Sequence, residues 1–398
     1  MQTRALANAS NANSDPQSNR PCPPVDFTRS IPPASLDIAE GLKSALTRLA
    51  AQPTVGSLLD GSIAGGTIED RLTGARLLSR RFGEAIDPRR IIVTNGTQSA
   101  LHLLFRNCAR SDCPVLTEAF TYGVLKGIAS HTKIRLRGLA LDHEGLDPVA
   151  VSEALEQSPG QIKLLYCNPT IHNPTTATMS LESRRKLAAL ARKHSIRIVE
   201  DDVLGLLHPE APPPIAALAP DLTWYIMGLT KCLAHGMRIA YLLAPSVDDA
   251  QELLERERRY SSWFPAPLHA AIVRQWIEDG TAERATSAIR REMDERHELA
   301  RSVLRQHSFR GPPGSMHIWL KLPRPWSNPD FQQAAERRGV LVRTADKFAV
   351  HESISTPAIR LSLSSPPDRQ LLVSGLTRLA SLLDEGMSAR PIAGQDAS

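Results

Sequence analysis

Short apolar runs recur along the first two thirds of the chain: RRIIVTNG, CPVLTE, KIRLRGL, IKLLYCNP, IRIVEDD, TWYIMGL and RIAYLLAP. Runs this short, bounded by Gly, Pro, Asn or Asp, suit strands buried on both faces. Between several of them the apolar positions return at helical spacing, as in TQSALHLLFRNCA and SLESRRKLAALARKH. Strands alternating with helices predict a mostly parallel sheet covered on both sides. The last two runs are joined by the loop that carries Lys231, too short for a crossover helix, so that pair is predicted antiparallel. The pattern describes an α/β fold whose mostly parallel, seven-stranded sheet contains one antiparallel strand.

Beyond about residue 280 the pattern changes. A long Arg/Glu-rich helix precedes GSMHIWLKLP, an amphipathic DFQQAAERRGVLVR, the strand-like AIRLSLSS and a closing helix through SGLTRLASLLDE. That order predicts a smaller α+β domain at the C-terminal end. The polar opening, MQTRALANASNANSDPQSNRPCPP, has no apolar signal-peptide core and reads as a flexible arm. The expected organisation is an arm over 1–30, a segment over 31–60 packing near the small domain, a large domain over 61–280 and a small one over 281–390. The proline-rich PEAPPPIAALAP is expected to be a surface connection within the large domain.

Composition narrows the function classes. Apolar residues at 42% and charged ones at 22% fit a soluble globular protein, and no run approaches the roughly 18 apolar residues of a membrane span. The net charge of +5 comes mostly from arginines interleaved with acids, as in ELLERERRYSSW. Such segments are solvated helix faces rather than nucleic-acid stripes, so neither a nucleic-acid nor a membrane partner is expected. The five cysteines are odd in number and contain no C-x-x-C pair, which argues against a disulfide framework or a zinc site. A cytoplasmic protein without a metal is the expectation.

The chemistry concentrates after the strands. IMGLTKCLAHGMRIAYLLA holds Lys231 and Arg238, and no acidic residue lies between Asp221 and Asp248. A buried unpaired ammonium is costly, so either this loop is on the surface or something negative and electrophilic arrives there. Open α/β sheets bind ligands beyond the carboxyl ends of their strands. After IIVT comes NGTQSAL, where Gly96 and the free N–H groups of a helix start can cradle a phosphate, although ordinary helix caps look similar. After IRIVE come Asp201 and Asp202, whose side chains alternate, so one alone can face a shared pocket. After KLLYC comes NPTIHNPTT, with Asn168 and Asn173 each before a proline in a rigid turn. A phosphate cradle, a carboxylate, an amide, a lysine and an arginine together fit pyridoxal phosphate.

The order and spacing of these groups resemble the fold-type-I pyridoxal-phosphate enzymes of the class I/II aminotransferases. They are most similar to the subgroup of aminoadipate and kynurenine aminotransferases and the aminotransferase-like domain of MocR regulators. The resemblance runs from about Gly65 to Leu383. It implies that Lys231, in TKCLAHGMR, is the Schiff-base lysine and that Thr230 and Arg238 help to hold the cofactor, Arg238 by its phosphate. Gly96, Thr97 and Gln98 match the phosphate cradle, and Tyr122, in EAFTYGVLKG, matches an aromatic stacked on the ring. Asn173 matches the asparagine that bonds the ring oxygen, and Asp201 the carboxylate on the ring nitrogen. Arg360, in IRLSLS, matches the arginine for the substrate α-carboxylate; its bland alternative is a surface arginine at a strand edge.

The resemblance implies transfer of an amino group from an α-amino acid to a 2-oxo acid, by a homodimer with pyridoxal 5′-phosphate. Four departures qualify that expectation: Leu204 replaces a tyrosine near the ring oxygen, Gly228 a phosphate-binding serine, and Thr176 a glycine whose positive φ shapes the turn. A proline-glycine pair before the late aromatic is missing, so Phe348 matches loosely. They keep open another pyridoxal-phosphate reaction of an amino acid, such as cyclisation, decarboxylation or oxidation. A MocR-like ligand-sensing domain without catalysis is a further alternative, disfavoured because the segment ahead of Gly65 is short and polar for a winged-helix domain plus linker.

Overall fold

A computed structural model describes residues 24–388. It begins with a short strand, β1 (Val25–Asp26), and the helix Leu36–Ala50. Seven strands then follow: β2 (Ile91–Thr94), β3 (Val115–Glu118), β4 (Leu136–Leu139), β5 (Leu164–Cys167), β6 (Arg197–Asp201), β7 (Thr223–Gly228) and β8 (Ala240–Leu243). They form one sheet in the order β2-β8-β7-β6-β5-β3-β4. β8 runs antiparallel to both neighbours, and every other pairing is parallel.

The burial pattern follows from composition. β2, β3, β5, β7 and β8 are buried along their whole length, as runs of Ile, Val, Leu and aromatic residues require when helices cover both faces. β4 forms an edge, and its Arg137 keeps that edge partly polar and exposed.

The second sheet contains β9 (Phe309–Arg310), β10 (His317–Lys321), β12 (Arg343–Thr344) and β13 (Ala358–Ser362) in the antiparallel order β12-β13-β10-β9; β11 (Val340–Leu341) lies outside it. The 23-residue helix Thr281–Val303 precedes this sheet, and Arg369–Ser388 closes it. One apolar core runs from Tyr225 and Met227 of the first sheet to Leu361 and Leu379 beside the second. Burying that continuous surface ties the two layers together. Among the described residues no helix is long and apolar enough to cross a membrane.

The flexible arm expected over 1–30 lies, up to residue 23, outside the described residues. Residues 24–30 differ from that expectation, because β1 pairs in parallel with β11, Val25 opposite Val340 and Asp26 opposite Leu341. The cause is the alternation of Val25 and Phe27, whose side chains both enter the common core. From this two-stranded pairing the chain enters Leu36–Ala50, which packs against Pro267–Glu278 and Thr281–Val303.

Candidate active site

β7 ends at Gly228, and the loop to β8 carries Thr230, Lys231 and Arg238, the last in a left-handed conformation at φ 48°. The Lys231 Nζ donates to the backbone carbonyl of Ser30, and among the described residues no carboxylate pairs with it. Burial, together with the positive charges of Arg360, Arg29 and Arg238, lowers its pKa from 10.5 to about 8. The site thus holds an amine close to its neutral, nucleophilic form.

The next wall is the start of the helix Gly96–Cys108. Gly96 has φ 78°, and a side chain there would begin 3.7 Å from the Arg238 Nη2, so the free helix N–H groups and this guanidinium are neighbours. The Thr97 Oγ1 is buried without a hydrogen-bond partner, while the Gln98 Nε2 donates to the Tyr122 hydroxyl at 3.1 Å. Gly228 sits opposite: a Cβ there would come within 2.2 Å of the Thr97 Oγ1. Thr97 therefore fills the volume that a larger residue at 228 would need.

At the end of β6, the Asp201 Oδ2 accepts from the Tyr166 hydroxyl at 2.9 Å, and its Oδ1 is buried without a partner. Burial drives the Asp201 pKa up to about 7 against the pull of the Tyr166 hydrogen bond, with Asp202 and Glu118 adding to the rise. Asp202 does not line the cavity. Its Oδ2 accepts from the Arg81 Nε at 3.0 Å and the Tyr225 hydroxyl at 2.8 Å, in keeping with the alternation expected of adjacent residues.

A chain of hydrogen bonds links the remaining groups. The Asn168 backbone N–H donates to the Glu118 Oε1 at 2.6 Å, and the Asn168 Oδ1 accepts from the Asn173 N–H at 2.9 Å. The Asn173 Oδ1 accepts from the Arg360 Nη1 at 2.9 Å, which leaves the amide Nδ2 of Asn173 free to donate elsewhere. The Arg360 Nη2 donates to the Thr28 carbonyl at 2.6 Å, and its Nε is buried without a partner. Arg360 is 6% exposed, so it is no surface arginine. Burial and the neighbouring Arg343 lower its pKa to about 9, and its guanidinium lies 5.1 Å from the centre of the Phe348 ring. The loosely matching aromatic thus reaches the site after all.

Two adjoining cavities collect these residues. Gly96, Thr97, Thr230, Arg238 and Asp201 line the smaller, of about 90 Å³; Arg360 and Leu204 line the larger, of about 290 Å³. Gln98, Tyr122, Asn173 and Lys231 border both. Every residue to which the resemblance assigns a cofactor or substrate role therefore lines one of these two cavities. Leu204 brings no hydroxyl to it, as expected. Thr176 keeps the left-handed conformation, at φ 63°, with its N–H donating to the His172 carbonyl at 2.7 Å. The turn retains its positive φ although threonine stands where the resemblance leads one to expect glycine, and Thr176 absorbs the strain.

The donor set suits pyridoxal phosphate. The Thr97 hydroxyl, the helix N–H groups and Arg238 offer partners for a phosphate, the Asp201 Oδ1 for a protonated ring nitrogen, the Asn173 Nδ2 for a ring oxygen and Lys231 for an aldehyde. Sequence reasoning missed Tyr166 and Glu118. Each had a signal, a hydroxyl or carboxylate within an otherwise apolar buried strand, where such groups need partners. It also missed Thr28 and Ser30, which act through backbone carbonyls and so leave no side-chain signal.

Residues 69–375 match the family model for aminotransferase class I and II. The chain is 27% identical over 315 residues to the 2-aminoadipate transaminase of Thermus thermophilus, covering 75% of this chain and 76% of that protein. It is 28% identical over 323 residues to YdeF of Bacillus subtilis strain 168, described as an uncharacterized HTH-type transcriptional regulator, covering 81% of this chain. The chain spans 69%, 58% and 57% of the lengths of YdeF and two further Bacillus subtilis regulators of that description. In fold it is similar to a Pyrococcus horikoshii kynurenine aminotransferase, with a TM-score of 0.84 at 23% identity over 92% of this chain and 91% of the other.

Proposed function

The chain belongs to the class I and II aminotransferases, and from that premise we propose that it transfers the amino group of an α-amino acid to a 2-oxo acid, with pyridoxal 5′-phosphate held at Lys231. The observation that carries this reading is the set of buried, unpaired polar atoms around Lys231: the Thr97 Oγ1, the Asp201 Oδ1 and the Arg360 Nε. Buried polar atoms call for partners, and these three belong to residues that line the same two cavities as Lys231.

When bound, pyridoxal phosphate supplies a carbonyl that exchanges amines and a cationic ring that accepts electrons. Arg238, Thr97 and the helix start at Gly96 would bind its phosphate, and Tyr122 and Gln98, which line the same cavity, would border its ring. The Asp201 Oδ1 holds the ring nitrogen in its protonated form, with Tyr166 fixing the carboxylate through the Oδ2. Arg360 grips the substrate α-carboxylate with parallel N–H groups and so orients the Cα–H bond. The Lys231 Nζ, with its pKa lowered to about 8, would serve as the base that takes the proton from the substrate Cα and holds it for return.

Three features complete the reading. Exposed Leu59, Ile63, Ile68 and Leu72, close together in sequence, support a homodimer, since large apolar side chains gathered at a surface are often covered by a partner. The free thiols of Cys108, Cys113, Cys167 and Cys232 support a cytoplasmic setting. The left-handed Gly280 ahead of the helix Thr281–Val303 supports domains over 61–280 and 281–390, residues 389–390 lying outside the described ones.

Mixing the cofactor-loaded protein with a panel of amino acids, without any acceptor, tests the reaction. At least one donor should convert the absorption of bound pyridoxal phosphate to that of the pyridoxamine form, and an added 2-oxo acid should restore it. Release of carbon dioxide or peroxide, with no donor giving that conversion, would overturn the proposal.

A further inference from the structure

The small sheet brings to the site one further residue, His317, that no step of the amino transfer uses. β10 and β13 are antiparallel, with Trp319 opposite Arg360 and His317 opposite Ser362. Opposed residues share a face, as do residues two apart on one strand, so all four side chains rise from one side of the sheet. From that side Arg360 reaches Asn173 and Thr28, and the Ser362 Oγ donates to the Ser30 Oγ at 3.2 Å. The Ser30 carbonyl in turn holds Lys231. His317 thus shares its face with the group proposed for the α-carboxylate, and its cross-strand partner touches the stretch that holds the lysine.

His317 is 2% exposed, lines the larger cavity and keeps a buried Nε2 without a hydrogen-bond partner. Buried His172 and His297 also have an unpaired ring nitrogen, but of the three only His317 borders either cavity of the site. Burial and the positive charge of Arg360 push its pKa well below 6.5, so the ring is neutral. The His172 backbone carbonyl takes a ring N–H, and a neutral imidazole has only one. With the Nε2 unpartnered, that N–H is on the Nδ1, and the Nε2 presents a bare lone pair. A buried acceptor without a donor is costly, and the cavity is the side from which a donor can reach it.

We propose that His317 selects the substrate side chain by accepting a hydrogen bond from it, so that the amino acids bound carry a neutral donor, a hydroxyl or a carboxamide. Arg360 takes the α-carboxylate, and His317, on the neighbouring strand, meets the side chain that extends from the same Cα. A carboxylate at this place would face a lone pair, and an ammonium would join Arg360 and Lys231 in a cavity already rich in cations. Both are disfavoured relative to a neutral donor. A site built to hydrogen-bond its substrate discriminates strongly against an analogue that lacks the group, because its own polar atom is then left unpaired. The inference rests on the amino-transfer reading for the role of Arg360, and its test fails separately.

Calorimetric titration of the cofactor-loaded protein with carboxylates that lack an amino group measures the preference without any reaction. The pairs are 3-hydroxypropanoate with butanoate, 4-hydroxybutanoate with pentanoate, and succinamate with 4-methylpentanoate, the first of each carrying the donor. At least one donor-bearing member should bind about tenfold or more tighter than its apolar counterpart. His317→Phe should bring that ratio near to one. A ratio near one for all three pairs in the native protein overturns the proposal, as does a ratio that survives in a folded His317→Phe or, where that variant does not fold, in His317→Met. Amino transfer confined to acidic or apolar amino acids would also defeat it while leaving the function intact. A donor preference that disappears with His317, in a protein that transfers no amino group, would uphold the side-chain contact and defeat the amino-transfer reading.

Discussion

Arg360 donates from its Nη1 to the Oδ1 of Asn173 at 2.9 Å, which makes the proposed substrate anchor and the proposed cofactor anchor one hydrogen-bonded unit. The same asparagine is tied through its N–H to Asn168, and Asn168 in turn to Glu118. Asn173→Ala should therefore weaken amino-acid binding as well as cofactor retention, because it leaves a buried guanidinium N–H unpaired. A loss of about 1–3 kcal/mol in each is the expected scale. Arg360→Ala, by contrast, should affect substrate far more than cofactor. Cofactor retention after dialysis, set beside substrate titration, separates the two variants; substrate binding untouched by Asn173→Ala would break the link.

The Lys231 pKa of about 8 sets a pH dependence for cofactor loading. The neutral amine is the nucleophile. Below pH 8 the ammonium dominates, so the loading rate of cofactor-free protein should climb about tenfold per pH unit and flatten above pH 8. Arg360→Gln removes the strongest of the positive neighbours named for this lysine, which favours its protonated form, so the midpoint should move to higher pH. Stopped-flow absorbance at a series of pH values measures the curve. A midpoint near 10.5 would mean that the loop is wetter than the structure shows.

Much of this arrangement was legible in the chain. Most strands of the large sheet are brief apolar runs stopped by Gly, Pro, Asn or Asp, and the loop around Lys231 was too short for anything but an antiparallel return. The cofactor side of the site was legible because its side chains sit at or just past strand ends, where the fold class places ligands, whereas Arg360 lies within β13. Three kinds of information were out of reach. Thr28 and Ser30 contribute carbonyls, which every residue possesses. Gly228 and Thr97 trade volume across the fold, and the meeting of Arg343 with Arg360 depends on strand register. None of these is a local pattern, so no window of sequence contains them.

The contact between Gly228 and Thr97 predicts that restoring a serine will not restore a phosphate ligand. A Cβ at 228 would lie 2.2 Å from the Thr97 Oγ1, so Gly228→Ser must push the helix start away from the strand end. Overpacking of this kind costs about 1–3 kcal/mol. Thermal melting should show Gly228→Ser less stable and quicker to lose cofactor, and the further change Thr97→Ala should recover stability. A single variant as stable as the native chain, with tighter cofactor, would show that the two residues are not in competition.

Thr176 carries the reverse prediction, a gain from a smaller residue. Its φ of 63° is in the left-handed region, where a β-branched side chain crowds its own backbone by about 1–2 kcal/mol. Two hydrogen bonds hold it there, from the Thr176 N–H to the His172 carbonyl and from the His172 N–H to the Ala177 carbonyl, both 2.7 Å. Glycine satisfies both without the crowding, although it adds freedom to the unfolded chain worth about 0.4–1 kcal/mol. Thr176→Gly should therefore stabilise the protein by about 0.5–1 kcal/mol, the difference between those terms. Because the backbone bonds already fix the turn, cofactor retention should not change. Denaturant unfolding with and without cofactor measures both quantities. A less stable Thr176→Gly protein would mean that the threonine side chain, buried and donating from its Oγ1 to the Thr175 carbonyl at 2.6 Å, contributes more than its backbone strain costs.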